Sequence, residues 1–424
     1  MTVLLTPRLP VYAGLAAAGM LAGLLLGRAE AALLAVAFLA FVAAALALAR
    51  KPEVRAELAL DHDRAVEGDD LTLHVRLRAQ TAVRGLHVEL RSPPGLDLLD
   101  GSSLADLTLG AGEARDIEVG LRCRRWGGLV IGGALLVAHD PLRLFRYERA
   151  LVQPLAVRVF PRADRLKALI QPLETQVFAG DEVSRARGEG IEFAEVRPFV
   201  PGDRVRQVNW RVTARRGELH VNQQHPERNS DVILFVDTFV GAGEAAERLL
   251  DLAVRAAAAL GARYLRRRDR VGVVGFGGIL RWLRPGMGAR HYYRLLESLA
   301  DTQVVTSYAW KAIDVIPPGV LPAKALLVAL TPLFDERSVA ALVDARGRGF
   351  DLAVVELDAL PFLQPARGEL GELGLRLWAL RRQALRERFE AEGVPVVAWD
   401  GRRPLDAAAE EVRGFRRQSV LRRP

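Results

Sequence analysis

Residues 188–219 read GEGIEFAEVRPFVPGDRVRQVNWRVTARRGEL, and the rest of the chain divides around them. This short segment gathers Glu192, Glu195, Arg197, Asp203, Arg204, Arg206, Asn209, Trp210, Arg211, Arg215 and Arg216. Pro201-Gly202 suits the centre of a type II turn, where Pro presets a negative φ and Gly accepts the positive one. Asp203 then stands as an N-cap before a short helix over 204–210, Gly217 as its stop, and 218–221 as a following strand. The stretch is too polar for a core. It reads as a shaped surface between two folded regions.

Downstream, 231–237 (DVILFVD) is an apolar run of strand length, followed by an amphipathic helical pattern over 244–267. Strand-like 270–277, 325–330, 352–357 and 394–399 alternate with helical 289–300, 336–346 and 369–392, and 279–283 is a possible hairpin partner. Such alternation argues for a parallel sheet covered on both faces. Upstream, 54–60, 71–77, 86–90, 116–122, 129–137 and 155–160 alternate apolar and polar residues between Gly, Asp and Pro turns. That spacing indicates an immunoglobulin-like β-sandwich. Its histidines are scattered and suggest no metal site, and Asp140-Pro141 marks a structural turn.

The first fifty residues differ again. Runs 11–27 and 31–49 carry no charge and are separated only by Arg28-Ala29-Glu30. Each approaches the ~20 residues that span a bilayer, so a two-pass transmembrane helical hairpin is expected. Arg8 before the pair and Arg50-Lys51 after it place both ends in the cytoplasm by the positive-inside rule. The domains expected are an anchor (1–52), a sandwich (53–162), the signature with its linker (163–230) and an α/β domain (231–424).

Across 424 residues the formal charge is +8, yet the only lysines are Lys51, Lys167, Lys311 and Lys324. Arginine in an Ala/Leu-rich chain reflects coding composition as much as phosphate binding, so no nucleic-acid partner is expected. A single cysteine, Cys123, excludes an intramolecular disulfide and argues against a cysteine metal site.

The central stretch resembles the bacterial family called domain of unknown function 58. The likeness rests on Gly190, Glu192, Phe193, Arg197, Phe199, Gly202, Asp203, Arg206, Val208, Asn209, Trp210, Ala214, Arg215 and Leu219. It extends upstream to Arg125-Trp126-Gly127 and to the run 140–145. The resemblance implies that the α/β domain is of von Willebrand factor A type, a Rossmann-type arrangement. Such domains hold a divalent cation with a D-x-S-x-S loop after their first strand. Here Asp237 is in place, but Phe239 and Gly241 replace the serines and Thr331-Pro332 replaces a later Asp. A hard cation needs several oxygens, so the site is degenerate and neither metal nor cofactor is expected.

No nucleophile–base pair is visible, since His220 and His225 have no Ser or Cys beside them in a recognisable motif. The reading that follows is a non-enzymatic, membrane-anchored adaptor facing the cytoplasm. The family resemblance implies a MoxR-type AAA+ ATPase as its partner, in envelope maintenance or complex assembly. Docking is assigned to Glu192, Phe193, Arg197, Gly202, Asp203, Arg206, Asn209, Trp210, Arg215 and Arg216. Trp210 is expected as a buried anchor, with arginines paired to Glu192 and Asp203. The alternatives are a structural envelope component whose signature only staples the domains, and a hydrolase using Glu192 and Asp203 as acid and base.

Overall fold

A computed structural model describes residues 1–27, 29–99, 103–172, 193–201, 203, 205, 208–224, 230–239, 241, 243–277, 280–304, 316–317, 319–322, 324–362 and 368–421. They fall into two compact units, Met1–Arg162 and Ala163–Pro424.

The first unit begins with a strand that the sequence does not announce. Thr2–Leu5 pairs antiparallel with Phe145–Leu151, Leu5 opposite Phe145. Two helices follow, Arg8–Leu26 and Ala29–Leu48. Gly27, at φ 63°, supplies the left-handed cap that ends the first. They lie side by side, with the Tyr12 ring 6.0 Å from Phe38 and edge-on to Phe41 at 5.0 Å. Arg8–Leu26 is long and apolar enough to cross a bilayer.

The remainder of this unit is β-rich. In Asp70–Ala79 the residues Leu71, Leu73, Val75, Leu77 and Ala79 are buried while their neighbours are not, the period of a strand with one wet face. Among the described residues, one sheet joins Val54–Leu60, Asp70–Ala79, Ala114–Cys123 and Leu96–Leu98. A second joins Thr2–Leu5, Phe145–Leu151, Ala134–His139, Val83–Leu90 and Ser103–Leu109. A third pairs Leu155–Phe160 with Gly127–Ile131 and, in parallel, with Arg64–Val66. Leu73 and Leu77 of the first sheet, Val88 and Leu136 of the second and Val157 of the third share one core. That is the packing of a sandwich. The turn expected at Asp140-Pro141 is present: the buried Asp140 carboxylate accepts the N–H groups of Leu142 (3.0 Å) and Phe145 (2.6 Å). The Cys123 thiol is buried, and burial pushes its pKa up to about 11.

The second unit is built on β1 (Asp231–Asp237), β2 (Arg270–Phe276), β3 (Arg281–Gly286), β4 (Leu326–Thr331), β5 (Asp351–Leu357) and β6 (Val396–Trp399). Its helices are α1 (Gly243–Arg266), α2 (Ala289–Ala300), α3 (Glu336–Gly347), α4 (Glu369–Ala391) and α5 (Leu405–Leu421). Among the described residues these strands form one sheet in the order β3-β2-β1-β4-β5-β6, parallel except for β3, which is antiparallel to β2. The hairpin partner expected near 279–283 is therefore found as β3.

Every residue of β1 is buried because both faces are covered. Ile233 and Phe235 share a core with Leu342 of α3 and Phe389 of α4. Leu234 points the other way, towards α1 and α2. A Cβ at Gly261 of α1 would come 2.9 Å from Leu295 of α2, so the glycine permits their close approach. The segment after Arg162 is fastened to this unit. Asp406 accepts the N–H groups of Lys167 and Ala168 (2.8 Å each), and the Tyr264 hydroxyl donates to the Ile170 carbonyl at 2.6 Å.

Candidate functional site

The signature folds as a hairpin of its own, Phe193–Pro198 against His220–Gln224, with Arg197 opposite Val221. Asp203 N–H donates to the Val200 carbonyl at 3.0 Å, closing the turn expected around Pro201. Among the described residues, the Asp203 side chain holds the turn and its neighbouring strand. Its two oxygens take Arg197 Nη2 at 2.6 Å and Nη1 at 2.7 Å, and Oδ2 also accepts Val200 N–H at 2.8 Å. Both oxygens are thereby held in a fixed fork of hydrogen bonds.

Among the described residues the α-helix of this stretch is Trp210–Arg216, capped by Asn209, so it opens where the expected helix over 204–210 would end. Asn209 Oδ1 accepts Val212 N–H at 3.1 Å and its Nδ2 donates to Asn222 Oδ1 at 2.7 Å. The helix start is set by strand pairing. Val208 bridges to Val221 and Asn209 N–H donates to the His220 carbonyl at 2.8 Å, which holds these two residues extended. Gly217 ends the helix in the left-handed region at φ 72°, as expected. His220 is buried, its Nδ1 2.8 Å from the Glu218 carbonyl and its Nε2 3.4 Å from Arg216 Nη1.

Trp210 is not a buried anchor. It is 63 % exposed, because it opens a two-turn helix whose partly covered residues are Val212 and Thr213. Arg211, Arg215 and Arg216 are exposed beside it. The hairpin thus brings Arg197, Asp203 and Asn209 together as a frame and holds Trp210, Arg215 and Arg216 outward. Glu192, Gly202, Arg206 and His225 lie outside the described residues, and Phe193 is described only as strand backbone.

A second cluster sits where strand order reverses, at the carboxyl ends of β1 and β4, the place where α/β sheets bind ligands. Asp237 is fully buried there. Its Oδ1 accepts Phe239 N–H at 2.9 Å and the Ser338 hydroxyl at 2.9 Å, and its Oδ2 accepts the Thr331 hydroxyl at 2.6 Å. Burial raises its pKa to about 6 against the pull of these three donors. Phe239, at the first replaced serine position, is buried under the Arg337 guanidinium, 3.9 Å above its ring. Arg337 is in turn paired with Asp335, the N-cap of α3, at 2.7 Å. Three of the protein's own donors therefore hold the Asp237 carboxylate. Ser338 escaped sequence reasoning, since no local motif ties it to β1.

One further charged group was missed. Glu356 of β5 is fully buried and binds Arg382 and Arg386 of α4. Arg382 also lies 4.5 Å from the Trp378 ring centre and 5.4 Å from that of Phe334. Burial lowers the Arg382 pKa, whereas the hydrogen bond to Glu356 raises that of Arg386. A lone carboxylate inside the run LAVVEL was the available signal.

Uncharacterized proteins of Mycobacterium tuberculosis and Mycobacterium bovis are 33 % identical to this chain over 127 residues, 29 % of this chain and 40 % of theirs. The chain thus spans about two-fifths of the length of the curated relatives it matches. Solved structures match smaller parts. A fragment of Escherichia coli alpha-2-macroglobulin is 22 % identical, with 30 % of this chain and 20 % of that one covered and a TM-score of 0.23. The CARDB domain of a Pyrococcus furiosus protein is 13 % identical, with coverage of 26 % and 94 % and a TM-score of 0.18. Residues 195–392, which take in most of the hairpin and the sheet through α4, match the model of the family described as Protein of unknown function DUF58.

Proposed function

We propose that the protein is a non-enzymatic, membrane-anchored adaptor that docks a MoxR-type AAA+ ATPase through the helix Trp210–Arg216. The observation that carries this reading is the exposure of Trp210 amid Arg211, Arg215 and Arg216 on a helix capped at both ends. Tryptophan and arginine dominate binding hot spots, and a surface already rigid loses little entropy on docking. The frame of Arg197, Asp203 and Asn209 provides that rigidity. The identity of the partner follows from the family resemblance.

The second unit is read as a von Willebrand factor A type domain that has given up its cation. Phe239 is buried at the first serine position, and the hydroxyls of Thr331 and Ser338 donate to the Asp237 carboxylate. Its role is then to carry the hairpin rather than to bind an ion.

The anchor is read as two-pass. Thr2–Leu5 is zipped to a strand of the sandwich, so the chain enters and leaves the helical pair on the same side. A crossing by Arg8–Leu26 then requires a return through Ala29–Leu48, and Arg8, Arg50 and Lys51 favour the cytoplasm for that side. A reporter fused at the C-terminus should be active as a cytoplasmic fusion, and one inserted at Arg28–Glu30 as an external one. A C-terminal reporter active only outside the cytoplasm would overturn the topology. It would also separate the protein from any cytoplasmic ATPase.

A further inference from the structure

Thr2–Leu5 is an apolar sheet edge. Among the described residues it is the outermost strand of its sheet, and all of its side chains are exposed. Val3, Leu4 and Leu5 are 45–64 % exposed, and no charge stands among them. Edges that face water are usually blunted by lysine, proline or a bulge, because unpaired backbone groups invite another chain. The anchor stands directly beside this edge. Only Thr6 and Pro7 separate the strand from the helix Arg8–Leu26. Thr6 is fastened to the sandwich, its N–H donating to the Leu144 carbonyl at 3.0 Å and its hydroxyl to the Arg143 carbonyl at 2.8 Å.

The helices have no length to spare. Arg8–Leu26 has 19 residues and Ala29–Leu48 has 20, about 28 and 30 Å of rise. A hydrocarbon layer is about 30 Å thick, so a crossing uses both helices from end to end. Yet Ala45, in the last turn of the second helix, is fully buried in the core that holds Phe145 and Tyr147 of the sandwich. Leu9, in the first turn of the other, packs against the same core. A sandwich that begins where the hydrocarbon ends cannot stand off from the membrane. Its depth is limited as well. Hydrocarbon would leave the open backbone edge of Thr2–Leu5 unpaired, so the strand stops in the headgroup layer, where water and phosphates remain. Arg8, Arg50 and Lys51 flank the helical pair, and Arg143 adjoins Thr6; all four are exposed. Their charge suits the phosphates of an anionic leaflet. We propose that the sandwich is itself seated in the membrane surface, with Thr2–Leu5 in the phospholipid headgroup layer and Arg8, Arg50, Lys51 and Arg143 on lipid phosphates. The seat rests on the two-pass reading of the anchor.

The test is fluorescence of the full chain in lipid nanodiscs containing phosphatidylglycerol. Cys123 is buried, so a single added cysteine takes a bimane label. The label is placed at Leu5→Cys, at Met20→Cys in mid-helix, or at His62→Cys, which is exposed beyond the far end of Val54–Leu60 from Lys51. A nitroxide on the lipid headgroup should quench the Leu5 label and leave the His62 label at full intensity. Arg143→Glu should weaken the Leu5 quenching, and so should replacing phosphatidylglycerol by phosphatidylcholine. A nitroxide near the ends of the acyl chains should quench the Met20 label, as a crossing hairpin requires. A quenched Met20 label with an unquenched Leu5 label would overturn the seat and leave the anchor standing. Equal quenching at Leu5 and His62 would overturn it too, because the sandwich would then touch lipid with no defined side. An unquenched Met20 label would overturn the two-pass reading, and the seat with it.

Discussion

Replacing Glu356 by Gln should destabilise the second unit by about 3–5 kcal/mol, the cost of breaking a buried ion pair from one side. Its carboxylate is inaccessible to solvent and binds both Arg382 and Arg386. Arg382 is itself buried, and among the described residues its Nη1 finds no hydrogen-bond partner, so the glutamate is the main compensation for its charge. Removing that negative charge strands a guanidinium between Trp378 and Phe334. Replacing the pair together, Glu356→Gln with Arg382→Met, should recover most of the loss, because the uncompensated cation leaves with its partner. Urea unfolding followed by tryptophan fluorescence measures both variants. A loss below about 1 kcal/mol for the single change would mean that solvent reaches Arg382.

The second large effect is one of pH. The folded protein holds the Asp237 carboxyl at a pKa of about 6, chiefly through burial, against an ordinary value of 3.8. A group whose pKa rises on folding binds its proton more tightly in the native state. Its contribution is therefore fully present below the ordinary value and lost as pH rises through about 6. The difference amounts to about 3 kcal/mol of stability between pH 3.5 and pH 7. Asp237→Asn, which keeps the shape and removes the charge, should abolish this part of the pH dependence. Unfolding free energies of wild type and variant at a series of pH values isolate it from other titrating groups. Parallel curves for the two proteins would refute the account of the cluster.

How much of this was legible beforehand depended on how local the cause was. DVILFVD at 231–237 is apolar at consecutive positions, and only a strand covered on both faces uses such a run. Gly217 could be placed as a helix stop because the left-handed cap is a property of that residue alone. The start of the same helix at Trp210 is set from a distance, because His220 and Val221, a dozen residues on, hold Asn209 and Val208 out of a helix and leave Asn209 as its cap. Trp210 was misjudged because hydrophobicity predicts burial only when the fold has somewhere to put the side chain. Thr2–Leu5 is too short to announce a strand by itself, and becomes one only because Phe145–Leu151 offers it an edge. Ser338 and Glu356 are long-range partners with no spacing to betray them.

The central claim is that the helix Trp210–Arg216 is a docking surface. Full-length protein extracted from membranes in mild detergent should retain a MoxR-type ATPase, identified by mass, and release it as salt rises, because arginines contribute to the contact. Trp210→Ala should lower that retention at least tenfold, the loss expected of a hot-spot aromatic at about 2 kcal/mol or more. Its unfolding free energy should stay within about 0.5 kcal/mol of wild type, since the side chain is largely exposed. A Trp210→Ala protein that unfolds like wild type and still retains the ATPase in full would contradict the claim.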